Sequence, residues 1–330
     1  MSPGTRRMCG LLLALLPCAA IAQAPVGGGD PTGDLIAGTV GYMAGFDRLY
    51  RIDLTTAQGV VVGTGQGLFG TYNGVQIADV DGLAFASDGT LYGVADSPHV
   101  LFRASLSSGR ATVVGPLREG GVLFNPLVLV DSSLSFTCDG KLLMISRRLR
   151  KVWEVDPATA VAQQIGTSAT SLAGLAVRGE QNIALGVAGA EGVYTFDPIT
   201  GAMEKFPNSL AGRNIAGGSI AFAADGRLFG AFDLMDLPAG IERQILVELS
   251  PTTGAILRET TITGPQLEGG SDRRPVRALA IAPPTCGPSV LAPGPNVIPV
   301  NSPVALLLLV IAVGLGAAIA LRRRRQSRAD

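Results

Sequence analysis

Asp81-Gly82-Leu83-Ala84-Phe85-Ala86-Ser87-Asp88-Gly89-Thr90-Leu91-Tyr92-Gly93 sets two short apolar runs on either side of a Ser-Asp-Gly turn. Asp-Gly between apolar runs predicts a hairpin, because Gly tolerates positive φ and Asp can bond the turn backbone. Leu101 to Leu106 follows, then Ser107-Ser108-Gly109, then Ala111 to Gly115. The pattern predicts four short strands in succession, each turning back on the last.

The unit recurs. First strands are centred on Leu83, Leu134, Leu175, Ile220 and Leu279, at intervals of 51, 41, 45 and 59 residues. The first turn returns as Asp139-Gly140 and Asp225-Gly226, and in degraded form as Gly179-Glu180. Third strands end on Trp153 to Asp156, Tyr194 to Asp197 and Leu246 to Leu249, and the last two are followed by Pro-x-Thr-Gly turns. A period of about 40 to 50 residues with four strands per unit predicts an all-β chain forming one β-propeller. Three strands without a first strand open the body at Leu35 to Ala44, Asp47 to Asp53 and Gly59 to Gly63; a lone first strand closes it at Ala278 to Ala282. Together they make one blade, and pairing them removes two exposed sheet edges. The expectation is five four-stranded blades over 35–282. A sixth blade would need strands within Gly120 to Val130, which reads as a loop.

The two ends carry different chemistry. Residues 1–22 read as a secretory signal, with Arg6 and Arg7, the apolar run Leu11 to Leu16, and Ala20-Ile21-Ala22 before the cut. Pro17 before Cys18 does not fit a lipidation site. Residues 23–34 are a flexible lead-in of Gly, Pro and Asp. Residues 283–303 form a Pro/Gly-rich tether reaching roughly 25 Å. The uncharged run 304–321 would span roughly 27 Å as a helix, near the thickness of a bilayer core. Arg322 to Arg325 and Arg328 in the tail 322–330 keep that end cytoplasmic by the positive-inside rule, with the body outside.

The formal charge of zero conceals an asymmetry. Of 26 basic residues, seven lie in the signal and tail, whereas only one of 26 acids does. The body therefore carries six excess negative charges, which argues against nucleic acid as a partner. Cys138 and Cys286 are the cysteines of the body, and an exported pair of this kind can form a disulfide.

The phrases Leu-Tyr-Arg-Ile-Asp at 49–53, Asp-Gly-Thr-Leu-Tyr-Gly at 88–93 and Asp-Pro-Ile-Thr-Gly at 197–201 resemble bacterial exported β-propellers of the NHL/YVTN/Kelch-like kind. The resemblance covers nearly all of 35–282 and implies architecture, not activity. Val297-Ile298-Pro299-Val300-Asn301-Ser302-Pro303, followed by an apolar run and arginines, resembles the Ile-Pro-Thr-Leu type of C-terminal sorting segment of Gram-negative bacteria. Val300-Asn301 replaces Thr-Leu and no Glu-Trp follows. The resemblance implies handling by an exosortase-like membrane peptidase, the alternative being a plain anchor in the inner membrane facing the periplasm.

Propeller ligands usually sit where first strands enter the central channel. One residue before the strand's glycine position, the repeats offer Asp81, Ser132, Ala173, Gly218 and Arg277; one earlier they offer Val80, Asp131, Leu172, Gly217 and Val276. Asp79, Asp81 and Asp131 are the candidate ligands for a hard cation such as Ca²⁺, which takes six or more oxygens. An Asp81–Arg277 ion pair across the channel is the competing arrangement. Propeller hydrolases of the lactonase kind resemble this fold but converge more oxygen and nitrogen ligands on their metal. His99, the only histidine, is expected to be a solvated loop residue, and Arg147 to Lys151 a solvated turn. Trp153 is expected between blades. No catalytic residue is assigned. The chain is expected to be an exported or surface-sorted binding module for a protein or polysaccharide, the alternatives being a Ca²⁺-dependent lactonase- or esterase-like hydrolase and a structural matrix component.

Overall fold

The computed structural model describes residues 39–286 apart from 65–67, 126, 129, 208, 237–240 and 265–275. The signal, lead-in, apolar run 304–321 and basic tail expected from the sequence lie outside these residues. Among the described residues no helix is long and apolar enough to cross a membrane.

Five antiparallel four-stranded units make a ring. Blade 1 combines the two ends of the body: β24 (Val276–Ala280) pairs with β1 (Val40–Gly45), followed by β2 (Arg48–Asp53) and β3 (Gly59–Val61). Blade 2 is β6 (Ala78–Phe85), β7 (Leu91–Ser97), β8 (His99–Ala104) and β9 (Ala111–Pro116). Blade 3 is β12 (Ser132–Phe136), β13 (Leu142–Ser146), β14 (Lys151–Val155) and β15 (Val161–Thr167). Blade 4 is β16 (Leu172–Arg178), β17 (Gln181–Gly186), β18 (Gly192–Phe196) and β19 (Met203–Lys205); blade 5 is β20 (Ile215–Phe222), β21 (Leu228–Asp236), β22 (Ile241–Leu249) and β23 (Ile256–Thr261). The first strands β24, β6, β12, β16 and β20 each lie against the next, and β20 returns to β24. That contact closes the ring and defines the channel.

The turns follow their sequence chemistry. Gly89, Gly140 and Gly226 adopt φ of 82°, 82° and 88°, and the Thr90 amide donates to Asp88 Oδ1 at 2.9 Å. In the Asp-Pro-Ile-Thr-Gly turn the Ile199 amide donates to Asp197 Oδ1 at 2.9 Å, and Gly201 takes φ 72°.

Hydrophobic burial is distributed between blades rather than within one centre. Phe102, Phe69 and Phe85 pack with Tyr42 where blades 1 and 2 meet; Trp153, Leu134 and Phe136 pack with Tyr92 between blades 2 and 3. Three further clusters fill the remaining interfaces. Each fully buried aromatic side chain contributes about 2–3 kcal/mol, so the interfaces, more than any one sheet, hold the ring.

The segment Gly120 to Val130, expected as a loop, carries a short strand. β10 (Arg118–Glu119) and β11 (Val122–Leu123) form a small hairpin, and β10 runs parallel to β15 at the outer edge of blade 3. It lengthens that blade and makes no sixth. Trp153, fully buried as expected, pins the hairpin: its Nε1 donates to Glu119 Oε1 at 3.0 Å. A second small hairpin, β4 (Thr71–Tyr72) with β5 (Val75–Gln76), precedes blade 2.

Candidate functional site at the polar mouth

The channel has two unlike ends. The C-terminal ends of the first strands present Phe85, Phe136, Val177 and Phe222, and Ala282 to Thr285 run over them. There the exit segment is fastened twice. Cys286 forms a disulfide with Cys138, which lies in the first turn of blade 3, and Arg178 Nε donates to Thr285 Oγ1 at 3.3 Å.

The N-terminal ends are polar. Beta-bulges shape them: β6 shifts register between Val80 and Gly82, β24 between Val276 and Ala278, and β16 between Leu172 and Gly174. The extra residues are Asp81, Arg277 and Ala173. A bulge leaves its residue unpaired in the ladder and re-aims its side chain, so Asp81 and Arg277 turn towards the mouth. Gly82 follows because a Cβ there would stand 2.8 Å from Val94 Cγ1 and 2.9 Å from Leu134 Cγ. Only a glycine lets blade 3 approach closely enough to narrow the mouth.

The structure gathers the candidate residues named from the sequence. Arg277 Nη1 lies 3.6 Å from Asp79 Oδ1, 3.5 Å from Asp81 Oδ1 and 3.4 Å from Asp131 Oδ1. A guanidinium thus stands among the three carboxylates considered as cation ligands. Their crowding outweighs burial and raises the Arg277 pKa further. Asp131 is also held from the other side: Arg147 Nη2 donates to Oδ2 at 2.8 Å, and Arg148 Nε donates to the same oxygen. Burial would raise the Asp131 pKa, but these guanidiniums win and hold it below the usual carboxylate range. Arg147 Nη1 also donates to the Ala216 carbonyl of blade 5 at 2.8 Å, so one side chain spans the mouth.

Three participants were missed from the sequence. Asp96 stands near the end of β7, Asp233 within the longer β21, and Arg147 just beyond β13, all in the same register. Carrying the alignment of first strands one strand outward would have placed all three, since each lies five residues after the leucine that opens its strand. Asp96 Oδ2 accepts the Val130 and Asp131 amides at 2.7 and 2.8 Å, which anchors the start of β12. Burial nevertheless raises the Asp96 pKa to about 6, with the Asp131 and Asp79 charges adding to it. Asp81 is raised well above its ordinary value, chiefly by burial, against the pull of Arg277.

Two expectations are corrected. His99 opens β8 and is buried, not solvated: Nε2 lies 3.6 Å from Asp96 Oδ1, and burial lowers its pKa. Arg147 and Arg148 are tied into the mouth through Asp131, because their strand end points at the channel rather than away from it.

Asp81, Asp131, Ser132, Arg147, Asp233 and Arg277 line a cavity of about 150 Å³, with Ala173, Gly217 and Gly218 forming a side wall of small residues. Charge on one side and empty space on the other make a site that can receive a polar group.

No family model and no curated protein sequence matches the chain. Among solved structures, the chain resembles one from a nidogen/laminin complex at 11% identity and a TM-score of 0.43, covering 75% of this chain and 99% of that one. A gluconolactonase from Xanthomonas campestris aligns at 13% identity and a TM-score of 0.40, covering 66% and 76%. A protein of unknown function from Bacteroides thetaiotaomicron aligns at 12% identity and 0.40, covering 58% of this chain and 53%, about half, of that one. At these similarities no functional conclusion rests on them; the propeller is read from the chain's own strand pairing.

Proposed function

We propose that the chain is an exported binding propeller whose ligand-facing surface is the polar mouth. The observation that carries this reading is the position of Arg277, within 3.4–3.6 Å of Asp79, Asp81 and Asp131. Its guanidinium pairs with carboxylates that a hydrolase would keep free as general bases. The same mouth keeps donors and acceptors of both signs around a cavity, which suits recognition of a polar group on a protein or polysaccharide. In this reading residues 1–22 direct export and 304–330 hold the propeller at the inner membrane, or at the cell surface after an exosortase-like peptidase acts. A structural matrix role would use the ring without the mouth. The lactonase- or esterase-like alternative would use Asp81 or Asp96 as a general base.

The test is comparative. Full-length wild-type protein and the Arg147→Ala and Asp233→Asn variants are applied to arrays of acidic, basic and neutral glycans and peptides. Saturable binding that both variants lose while keeping their circular dichroism supports the proposal. Turnover of gluconolactone or p-nitrophenyl esters by the wild type, abolished in Asp81→Asn, would overturn it in favour of a hydrolase.

A further inference from the structure

Arg277 does not satisfy every carboxylate at the mouth. One oxygen each of Asp79, Asp81 and Asp96 lie within 4.8 Å of one another. Asp81 and Asp96 are each only 5% exposed. Arg277 approaches Asp81 through Oδ1, whereas Oδ2 is buried with no hydrogen-bond partner. Ser132 Oγ, on a residue 1% exposed and lining the same cavity, is also without one. Buried polar atoms are nearly always bonded, so two orphans at one cavity call for a missing partner.

Charge points the same way. Asp79, Asp81, Asp96 and Asp131 face the guanidiniums of Arg147, Arg148 and Arg277, four carboxylates against three cations. Buried charge without a partner is expensive, and a cation or a proton removes it.

We propose that Asp79, Asp81 and Asp96 hold a hard divalent cation, Ca²⁺ or Mg²⁺, beside Arg277. The three donors are all carboxylate oxygens, the chemistry such ions select, and the adjoining cavity has room for the waters that complete their shells. Asp131, grouped with Asp79 and Asp81 on sequence grounds, is not a ligand in this arrangement, because Arg147 and Arg148 both donate to its Oδ2. Asp96 takes its place. The inference goes beyond the binding reading and does not depend on it: the ion would fix the mouth whether or not a ligand binds there.

The full-length chain in detergent, stripped with EDTA, is titrated with CaCl₂ and separately with MgCl₂ by calorimetry, and its melting is followed. One equivalent is expected to bind, with Tm rising by roughly 5 °C or more at a hundredfold excess over Kd. Asp81→Asn and Asp96→Asn should each weaken binding at least tenfold, and Asp81→Asn without added ion should melt no lower than wild type. Asp139→Asn, in an exposed turn, should bind as wild type does. Absence of saturable uptake of either ion by the wild type would overturn the proposal. Undiminished uptake in Asp96→Asn, the variant that decides if Asp81→Asn does not fold, would do the same.

Discussion

Arg277 carries more of the mouth than any other side chain. It reaches from blade 1 to Asp79 and Asp81 of blade 2 and to Asp131 of blade 3. Arg277 is itself about one-third exposed, so removing it leaves its buried partners less well satisfied at a cost of about 1–3 kcal/mol. Arg277→Gln is therefore expected to lower stability by roughly that amount in chemical denaturation, with Asp81→Asn in the same chain restoring part of it. The acids around it make stability depend on pH. Asp96 has a folded pKa of about 6 and Asp81 one well above the usual range, so between the unfolded value near 3.8 and these folded values the native state binds more protons than the unfolded chain. Stability from these groups is fully present below about pH 4 and lost as pH rises through 6. Asp131, held low by Arg147 and Arg148, acts in the opposite sense but only as pH falls below about 4. In the absence of divalent ions, denaturant midpoints should fall from pH 4.5 to 7.5, and Asp96→Asn should remove roughly 2 kcal/mol of that fall, at about 1.4 kcal/mol per pH unit between pH 4.5 and 6. A slope unchanged in Asp96→Asn would refute the assignment.

At the level of the element, the strand phrase explains itself. In Leu91-Tyr92-Gly93 the glycine faces Phe102, and a Cβ at Gly93 would stand 2.3 Å from the ring. Gly230, in Leu228-Phe229-Gly230, meets Phe232 in the same way. Gly93→Ala should cost about 1–3 kcal/mol by overpacking, with little change in the spectrum of the folded state. These elements were legible because period-two apolar runs and Asp-Gly turns announce themselves locally. So were Asp81, Ser132, Ala173, Gly218 and Arg277, which share one alignment column and line one cavity. Asp96, Arg147 and Asp233 were not, because each lies five residues into or past a second strand, where the pairing register brings it back to the mouth. His99 looked like a loop residue among Asp96, Ser97 and Pro98. Its burial comes from neighbours on the hairpin insertion, Phe124 and Val128, which nothing local to His99 reveals. The bulges are equally silent: one unpaired residue changes where a side chain points without changing the apolar pattern.

The whole molecule is a ring closed by its own ends. β24 pairs with β1, and the Cys138–Cys286 disulfide then fastens the exit segment to blade 3 across the apolar end of the channel. The cross-link spans 148 residues, so its loss should cost about 2–5 kcal/mol. Cys286→Ser should show that loss in equilibrium unfolding under oxidising conditions, and dithiothreitol should lower the wild type to the variant's stability. The polar mouth, at the opposite end, should keep its ion pairs in either case. That separation places one end of the ring in charge of closure and leaves the other for recognition. The claim on which both rest is that the paired strands β6 and β7 of blade 2 deliver Asp81 and Asp96 into one charge-crowded mouth. Carbon-detected NMR titration of the side-chain carboxyls in the metal-free full-length chain tests it most directly. An Asp96 midpoint near pH 6, with Asp81 raised well above the usual carboxylate range and shifting when Arg277 is replaced, is the predicted result; midpoints near pH 4 for both, indifferent to Arg277→Gln, would contradict it.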